Sequence, residues 1–304
     1  MPTLAADYQT IPSIFTPGKR KRINYLPVIL NILVPWAIFA LVLYLVSFDF
    51  HYKHPMGTIG LIVAALVACV IVGVVAKTSR GRDKEPTWLT FFAITTFIAV
   101  VAASIIGFIN FYDNMVPFYE ANSLNVYPAV NPSSQQGVEV MDGARVYFTM
   151  GSRVDRHMGM GFKNDETYCV APIVLFNLTS NLPLEPKTKS YDFWAIGMNC
   201  CDRQGNFRCG QYANPKARSG LRLMTEEERP NYRLAVQQAE ATYSITSIHP
   251  VFFTWVQDPV DEINKWLISG RELFWKSVWF YCLANAFFVI VLTVGFTKLG
   301  RYNW

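Results

Sequence analysis

Hydrophobic and polar positions follow two different rhythms along this chain. Four runs, Leu26 to Phe48, Gly57 to Ala76, Trp88 to Tyr112 and Leu273 to Thr297, are almost unbroken in apolar character. Each reaches the ~20 residues an α-helix needs to cross a hydrocarbon layer ~30 Å thick. None carries a charge in its middle. Between the third and fourth lies a mixed block, Asp113 to Glu272. It opens on a turn-rich stretch, Asn122 to Gly137, with Pro128 and Pro132, which predicts a linker or surface loop. Val138 to Met141, Arg145 to Thr149, Tyr168 to Asn177 and Tyr191 to Met198 are rich in β-branched and aromatic residues between turn formers, and predict strands.

Helix signals follow the strands. Thr225 stands three residues ahead of Glu228 as a capping box, and Glu226 and Glu227 suit the positive end of a helix dipole. The helix body, Asn231 to Tyr243, places Leu234, Ala235 and Ala239 on one apolar stripe. Asp258 and Pro259 mark a second start. Val260, Ile263, Trp266 and Leu267 then give a helix that runs toward the fourth span, with Gly270 as a joint. The chain therefore divides into residues 1–25, three spans within residues 26–112, an α+β block over residues 113–272, a fourth span over residues 273–297 and a tail, residues 298–304.

Composition agrees with this partition. Apolar residues make up 52% of the chain and charged ones 16%, below the ~25% usual in soluble domains. The net charge of +5 is distributed by side. Lys19, Arg20, Lys21 and Arg22 precede the first span, Lys77, Arg80, Arg82 and Lys84 fill the second connection, and Lys298 and Arg301 lie in the tail. The short loop Asp49 to Met56 offers only Lys53. Lys and Arg concentrate on the cytosolic side of membrane proteins, so both termini are expected in the cytosol and the large block on the exoplasmic side. The basic run before the first span reads as a span flank, with no nucleic-acid partner expected. The first 18 residues lack an apolar core, so the first span is expected to act as signal anchor, in the secretory pathway or plasma membrane.

Within the spans, Gly60, Ala64 and Ala68 form one small-residue row and Ala99, Ala103 and Gly107 another. Such rows let helix backbones approach closely in lipid. Asn31 predicts an interhelical hydrogen bond, and Pro27 and Pro35 predict a bend whose freed carbonyls neighbours must satisfy. Phe274, Trp275, Trp279 and Tyr281 form an aromatic belt, and Asn285 is a lone strongly polar residue below it. Charges stop at the edges, at Glu272 and Lys276. Proton relays and voltage sensors need charges inside the membrane, so transport is not the reading.

Cys69 and Cys282 fall within spans, whereas Cys169, Cys200, Cys201 and Cys209 lie in the exoplasmic block. An oxidising compartment favours disulfides. Adjacent cysteines do not meet the geometry of a mutual bridge, so Cys169 and Cys209 each take one of the Cys200–Cys201 pair. A zinc site on the same four thiolates is the rival. The predicted fold is thus an α-helical membrane protein, a four-transmembrane-helix bundle with a disulfide-bonded α+β exoplasmic domain between helices 3 and 4.

Other chemistry is sparse. His157, Met158 and Met160, with Met150 nearby, offer imidazole and thioether ligands for copper(I), against a plain glycine-rich turn. Asp49, His51 and His54 offer a second metal set, against solvated loop histidines. The run Arg218 to Arg222 reads as a solvated turn, and Asn177-Leu178-Thr179 is a glycosylation sequon. The bridges would remove Cys200 and Cys201 as nucleophiles. No enzyme activity and no cofactor are expected.

Tyr25, Asn31 and Trp36 in the first span, and Cys200–Cys201 in the large loop, resemble the tetraspanins, as does the layout of cytosolic ends with one small and one large exoplasmic loop. The chain departs from that family where Asp202 replaces the glycine after the cysteine pair, where a cysteine precedes the pair, and where none stands just before the fourth span. The stretch from Tyr191 through Cys209 to Ala239 is also similar to uncharacterised membrane proteins of unicellular eukaryotes, notably alveolates. The tetraspanin likeness implies a membrane organiser or adhesion scaffold with the lipid bilayer and other membrane proteins or ectodomains as partners, in homo- or hetero-oligomers. An accessory subunit of a large membrane complex is the alternative, and an exoplasmic metal or small-ligand binding protein the second.

Overall fold

The computed structural model describes residues 25–79, 87–177, 179–202 and 205–299. Its helices are α1 (Tyr25–Ser47), α2 (Asp49–Lys53), α3 (Pro55–Ser79), α4 (Thr87–Asn110), α5 (Val116–Ser123), α6 (Arg229–Tyr243) and α7 (Pro259–Leu299). Its strands are β1 (Asn125–Val130), β2 (Gly143–Phe148), β3 (Ser152–Val154), β4 (Met160–Asn164), β5 (Glu166–Leu175), β6 (Phe193–Met198), β7 (Ser219–Arg222) and β8 (Val251–Val256). The chain separates into a helical unit, residues 1–113 and 269–304, and a sheet unit, residues 114–268. Of the charges that set the expected orientation, Lys19, Arg20, Lys21, Arg22, Arg80, Arg82, Lys84 and Arg301 lie outside the described residues.

In the helical unit, α1, α3, α4 and α7 are each long and apolar enough to cross a membrane. A core of Phe39, Leu43, Val46, Ala99, Val100 and Ala103 joins α1 to α4. The small-residue row of α4 explains the closeness of this pair. A Cβ on Gly107 would lie 2.8 Å from the Val46 side chain. The row on α3 does not behave in the same way: Gly60, Ala64 and Ala68 are exposed, and a Cβ on Gly60 would meet nothing within 4 Å.

Proline chemistry decides the contact between α1 and α7. Pro35 has no N–H, so the carbonyl of Asn31, four residues back, loses its helical donor. Asn285 of α7 donates its Nδ2 to that oxygen at 3.2 Å and to Ile32 O at 3.1 Å. The expected interhelical bond is therefore made by Asn285. Asn31 instead donates its own Nδ2 to Pro27 O, within its helix, at 2.7 Å. Trp36 Nε1 donates to Val278 O at 3.2 Å, and Phe39 stacks on Tyr281 with ring centres 4.1 Å apart. A buried Asn110 binds α7 similarly, donating to Gly270 O at 3.1 Å. Gly270 makes no break in α7, which starts where Asp258 Oδ1 accepts the Val260 N–H at 2.8 Å.

The sheet unit is a mixed eight-stranded sheet in the order β1-β2-β7-β8-β6-β5-β3, with β4 also paired to β5. The β1–β2 and β6–β8 pairs are parallel and the rest antiparallel. Both faces are covered. Cys169, Ala171 and Ile173 of β5 face one core with Phe193, Ala195, Phe253 and Trp255. Val170, Trp194, Ile196 and Phe252 face the other, against Tyr232, Ala235, Val236 and Ala239 of α6. Buried strands read as continuous apolar runs without period-two alternation, and β8 (VFFTWV) is such a run.

Several expectations are corrected here. Val138 to Met141 contributes a 3-10 turn, Gly137–Val140, with Glu139 capping the Gln136 N–H at 3.1 Å. The expected linker contains β1 and its parallel pairing with β2. The expected turn at Arg218 to Arg222 is β7, inside the sheet between β2 and β8. Helix α6 starts at Arg229, with Pro230 in its first turn, and Thr225 caps nothing. Its buried stripe uses Tyr232 and Val236, while Leu234 is exposed, because the bulky ring of Tyr232 fills the groove beside Tyr168.

Candidate functional site

The densest chemistry in the sheet unit is a cluster of four sulfurs. Cys169 sits at the middle of β5, fully buried, with Gly161 of β4 opposite it on one side and Gly197 of β6 on the other. This Gly-Cys-Gly row across three strands leaves a hollow in the sheet face. A glycine inside a strand marks a place where other atoms approach the backbone closely. At Gly197 an added Cβ would lie 2.5 Å from Cys209 Cβ and 2.7 Å from Cys200 Sγ; at Gly161 it would lie 3.0 Å from Cys201 Sγ.

Asn199 sends the cysteine pair into that hollow. It follows β6 in the left-handed region, φ 57°, a conformation that asparagine tolerates better than most residues. Its Oδ1 accepts the Thr167 N–H at 3.0 Å and its N–H donates to Thr167 O at 2.8 Å, which ties the turn to β5. Cys201 bridges back to Cys169 with Cα atoms 5.8 Å apart, and Cys200 bridges forward to Cys209 at 5.2 Å. Both separations fall in the usual ~4.4–6.8 Å window. The adjacent cysteines thus serve two different partners, and the sulfurs of Cys169, Cys200 and Cys209 lie within 4.8 Å of one another.

The loop between Cys200 and Cys209 is held by more than sulfur. Arg208 N donates to Cys200 O at 2.8 Å and Gly205 N to Gly159 O at 2.9 Å. The Arg156 guanidinium donates Nε to Phe207 O at 2.9 Å while lying over the Tyr212 ring at 4.8 Å. Phe207 is buried in the same core as Cys169 and Trp255.

The other sequence candidates are dispersed. His157 is exposed on a 3-10 turn, Arg156–Met158, and Asp155 Oδ1 accepts its N–H at 3.0 Å. Met158 is half-buried on that turn, while Met160 is buried beneath α6 with Trp194 and Tyr232 and Met150 is exposed. One core methionine and one surface histidine face different surroundings, so the run presents no converging ligand set. Asp49 pairs with Lys53 at 2.8 Å and His54 is exposed. His51, expected to be solvated, is buried edge-on against Phe111 and Phe108, with centroids 4.5 and 5.3 Å away. Burial there pushes its pKa below the ordinary histidine value. Asn177 is exposed at the turn after β5, and its Oδ1 accepts the Thr179 N–H at 2.9 Å. The sequon's Leu178 lies outside the described residues.

Sequence reasoning missed the buried Asp192. Its carboxylate accepts N–H bonds from Gly137 at 2.9 Å, Ile248 at 3.1 Å and His249 at 3.3 Å, and the Ser190 hydroxyl donates to it as well. With three donors on Oδ1 and one on Oδ2, this carboxylate ties three loop segments together. The signal available was the Ser190-Tyr191-Asp192 segment at the head of a strand, a polar pair on an otherwise apolar run. Gly197 fell inside an expected strand, whereas the strand that holds Gly161 was not expected, and the register both share with Cys169 was not legible. Comparison with known protein-family models, curated proteins and solved structures finds no match to this chain.

Proposed function

We propose that this chain is an integral membrane protein that displays its sheet unit on the exoplasmic side as a non-enzymatic organiser or adhesion scaffold. The observation that carries the reading is the pair of bridges converging on a glycine-flanked strand cysteine, in a chain with four helices of spanning length. Bridges of this kind persist where the surroundings oxidise thiols, which is the exoplasmic side. The hydrogen-bonded carboxylates of Asp192, Asp155 and Asp142 support a binding role over catalysis. Asp192 closes loops, Asp155 caps a turn, and Asp142 accepts hydrogen bonds from Tyr127 and Asn125. Exposed Asn177 is proposed as a glycan acceptor on the same side.

Two measurements on intact cells and native membranes test the proposal. A membrane-impermeant thiol reagent, applied after reduction, should label Cys200 and Cys201 from outside. Blue-native separation should then show the chain with partners whose identities vary between preparations. Labelling only after permeabilisation would overturn the topology. A single assembly of fixed stoichiometry would replace the organiser with an accessory subunit.

A further inference from the structure

We infer that the helical unit carries a site for one zwitterionic phospholipid, with its phosphate on Lys276, its ammonium on Glu272 and one hydrocarbon chain in the groove between α4 and α7. That groove measures about 460 Å³. Its walls are Ala102 and Ile106 on α4 and Phe280 on α7. Tyr281 and Phe39 close its floor, stacked with ring centres 4.1 Å apart, and the Tyr281 hydroxyl donates to Thr95 O at 3.4 Å. The floor is therefore preformed. Strongly polar side chains enter the lining at one level only, at Lys276 and Ser277. An apolar trough with a cation and a hydroxyl at one end is complementary to an amphiphile, because its few polar groups fix the orientation of a mostly apolar ligand.

Charge order selects the headgroup. Lys276 Nζ lies 2.7 Å from Glu272 Oε2, and both side chains are exposed. Glu272 stands about one helical turn, ~5.4 Å, nearer the N-terminal end of α7. The site rests on the proposed membrane reading, in which that end of the fourth span faces the exoplasmic side. From the hydrocarbon outward, the side chains then run apolar groove, ammonium of Lys276, carboxylate of Glu272. A zwitterionic phospholipid runs chains, phosphate, ammonium along the same direction, so each charge meets its opposite. A headgroup with a phosphate and no ammonium would set its negative charge beside the Glu272 carboxylate without compensation, which is discrimination by an unfavourable contact.

Two further features suit this level of the bilayer. Trp275 and Trp279 are exposed on either side of Lys276 in sequence, and tryptophan concentrates at the headgroup boundary. The Lys276–Glu272 pair is itself exposed, and a pair of that kind contributes little to stability. Its members can exchange one another for the headgroup charges at little cost to the fold.

The test uses the full chain in detergent with a phosphatidylethanolamine that carries a diazirine in one chain. Native mass spectrometry should count one retained lipid per chain. Light should attach it to the peptides that hold Ala102, Ile106 and Phe280. The E272K/K276E double variant keeps the ion pair and reverses its order. It should retain the lipid about tenfold less well, the loss expected when a hydrogen bond to a charged group goes. A102F fills the trough and should also lose the adduct. Phosphatidylglycerol, with a phosphate and no ammonium, should compete about tenfold more weakly than unlabelled phosphatidylethanolamine. Helical circular dichroism verifies the fold of each variant, and the reversed pair changes only exposed side chains. The inference is overturned if the reversed pair retains the lipid, if phosphatidylglycerol competes equally, or if adducts spread evenly over the exposed face of α3. None of these readouts depends on partners or on which side the sheet unit faces, so failure of the scaffold reading and failure of this one are separate results.

Discussion

The two units of this molecule place their polar and apolar residues in opposite ways. In the sheet unit Trp194, Phe253, Trp255 and Cys169 are buried. In the helical unit Asn31, Asn110 and Asn285 are buried, while Phe280, Leu283 and Phe287 are more than two-thirds exposed. Water rewards the first arrangement, because apolar area leaves solvent on folding. In the lipid setting proposed for the helical unit, hydrocarbon tails give apolar side chains no such preference, and helix association rests on close packing and on hydrogen bonds hidden from hydrocarbon. The difference teaches where each unit keeps its specificity. The sheet unit fixes its geometry with a two-sided core and covalent bridges; the helical unit uses buried amide side chains, among them Asn285, which answers the carbonyl that Pro35 frees.

The largest effect expected from breaking this contrast is on the bridges. C169A/C201A should destabilise the sheet unit by roughly 2–5 kcal/mol. Denaturant unfolding in detergent, followed by tryptophan fluorescence together with helical circular dichroism, should show the sheet transition move and the helical one stay. A common shift of both would merge the two units into one cooperative block.

Filling the hollow comes next. G197V puts bulk where even a methyl group would collide with Cys209 and Cys200. An overpacking cost of roughly 1–3 kcal/mol is expected in the same unfolding transition. The non-reducing mass should show incomplete bridge formation, and a fully bridged, equally stable variant would remove the glycine argument.

In the helical unit the decisive residue is Asn285. N285L should cost roughly 0.6–1.7 kcal/mol, the range of such bonds between membrane helices. In a P35A background the alanine N–H can take the Asn31 carbonyl, so the same substitution should cost less. A double-mutant cycle on α1–α7 association measures this, and additive costs would break the account of the freed carbonyl.

The smallest effect is on an exposed pair in the sheet unit. Hydrogen bonds from Tyr127 and Asn125 hold the Asp142 carboxyl below the usual aspartate range. A lowered folded pKa means the contribution is present above the unfolded value of about 3.9 and is lost as pH falls through the lowered folded value. The difference between wild type and D142N should therefore be small, present at neutral pH and gone in strong acid. A difference that grows toward acid would reverse the sign of this linkage.

How much of this could be read from residue order varies with the range of the forces. Hydropathy and length in the four runs sufficed to mark helices of spanning length, since each needs only its own ~20 residues. Asp258 with Pro259 marked the start of α7 for the same local reason. Strand β7 was hidden in a basic, glycine-containing tetrapeptide, because its burial comes from β2 and β8 on either side. The Thr225 box failed because a proline at the first turn and a buried Tyr232 set the start of α6 more strongly than a side-chain cap.

By itself, then, the sequence determined four apolar helices, a cysteine-bearing mixed insert, and the rule that Cys200 and Cys201 need different partners. Only the tertiary structure decided that Cys201 takes Cys169 and Cys200 takes Cys209, because the choice depends on Asn199 turning the chain over a hollow made by three paired strands. It alone assigned Asn285 to the carbonyl that Pro35 frees, since that bond joins residues 254 positions apart. Periodicity and composition report the solvent each segment meets. Register, and with it every contact between distant residues, is settled when whole strands and helices compete for the same partners.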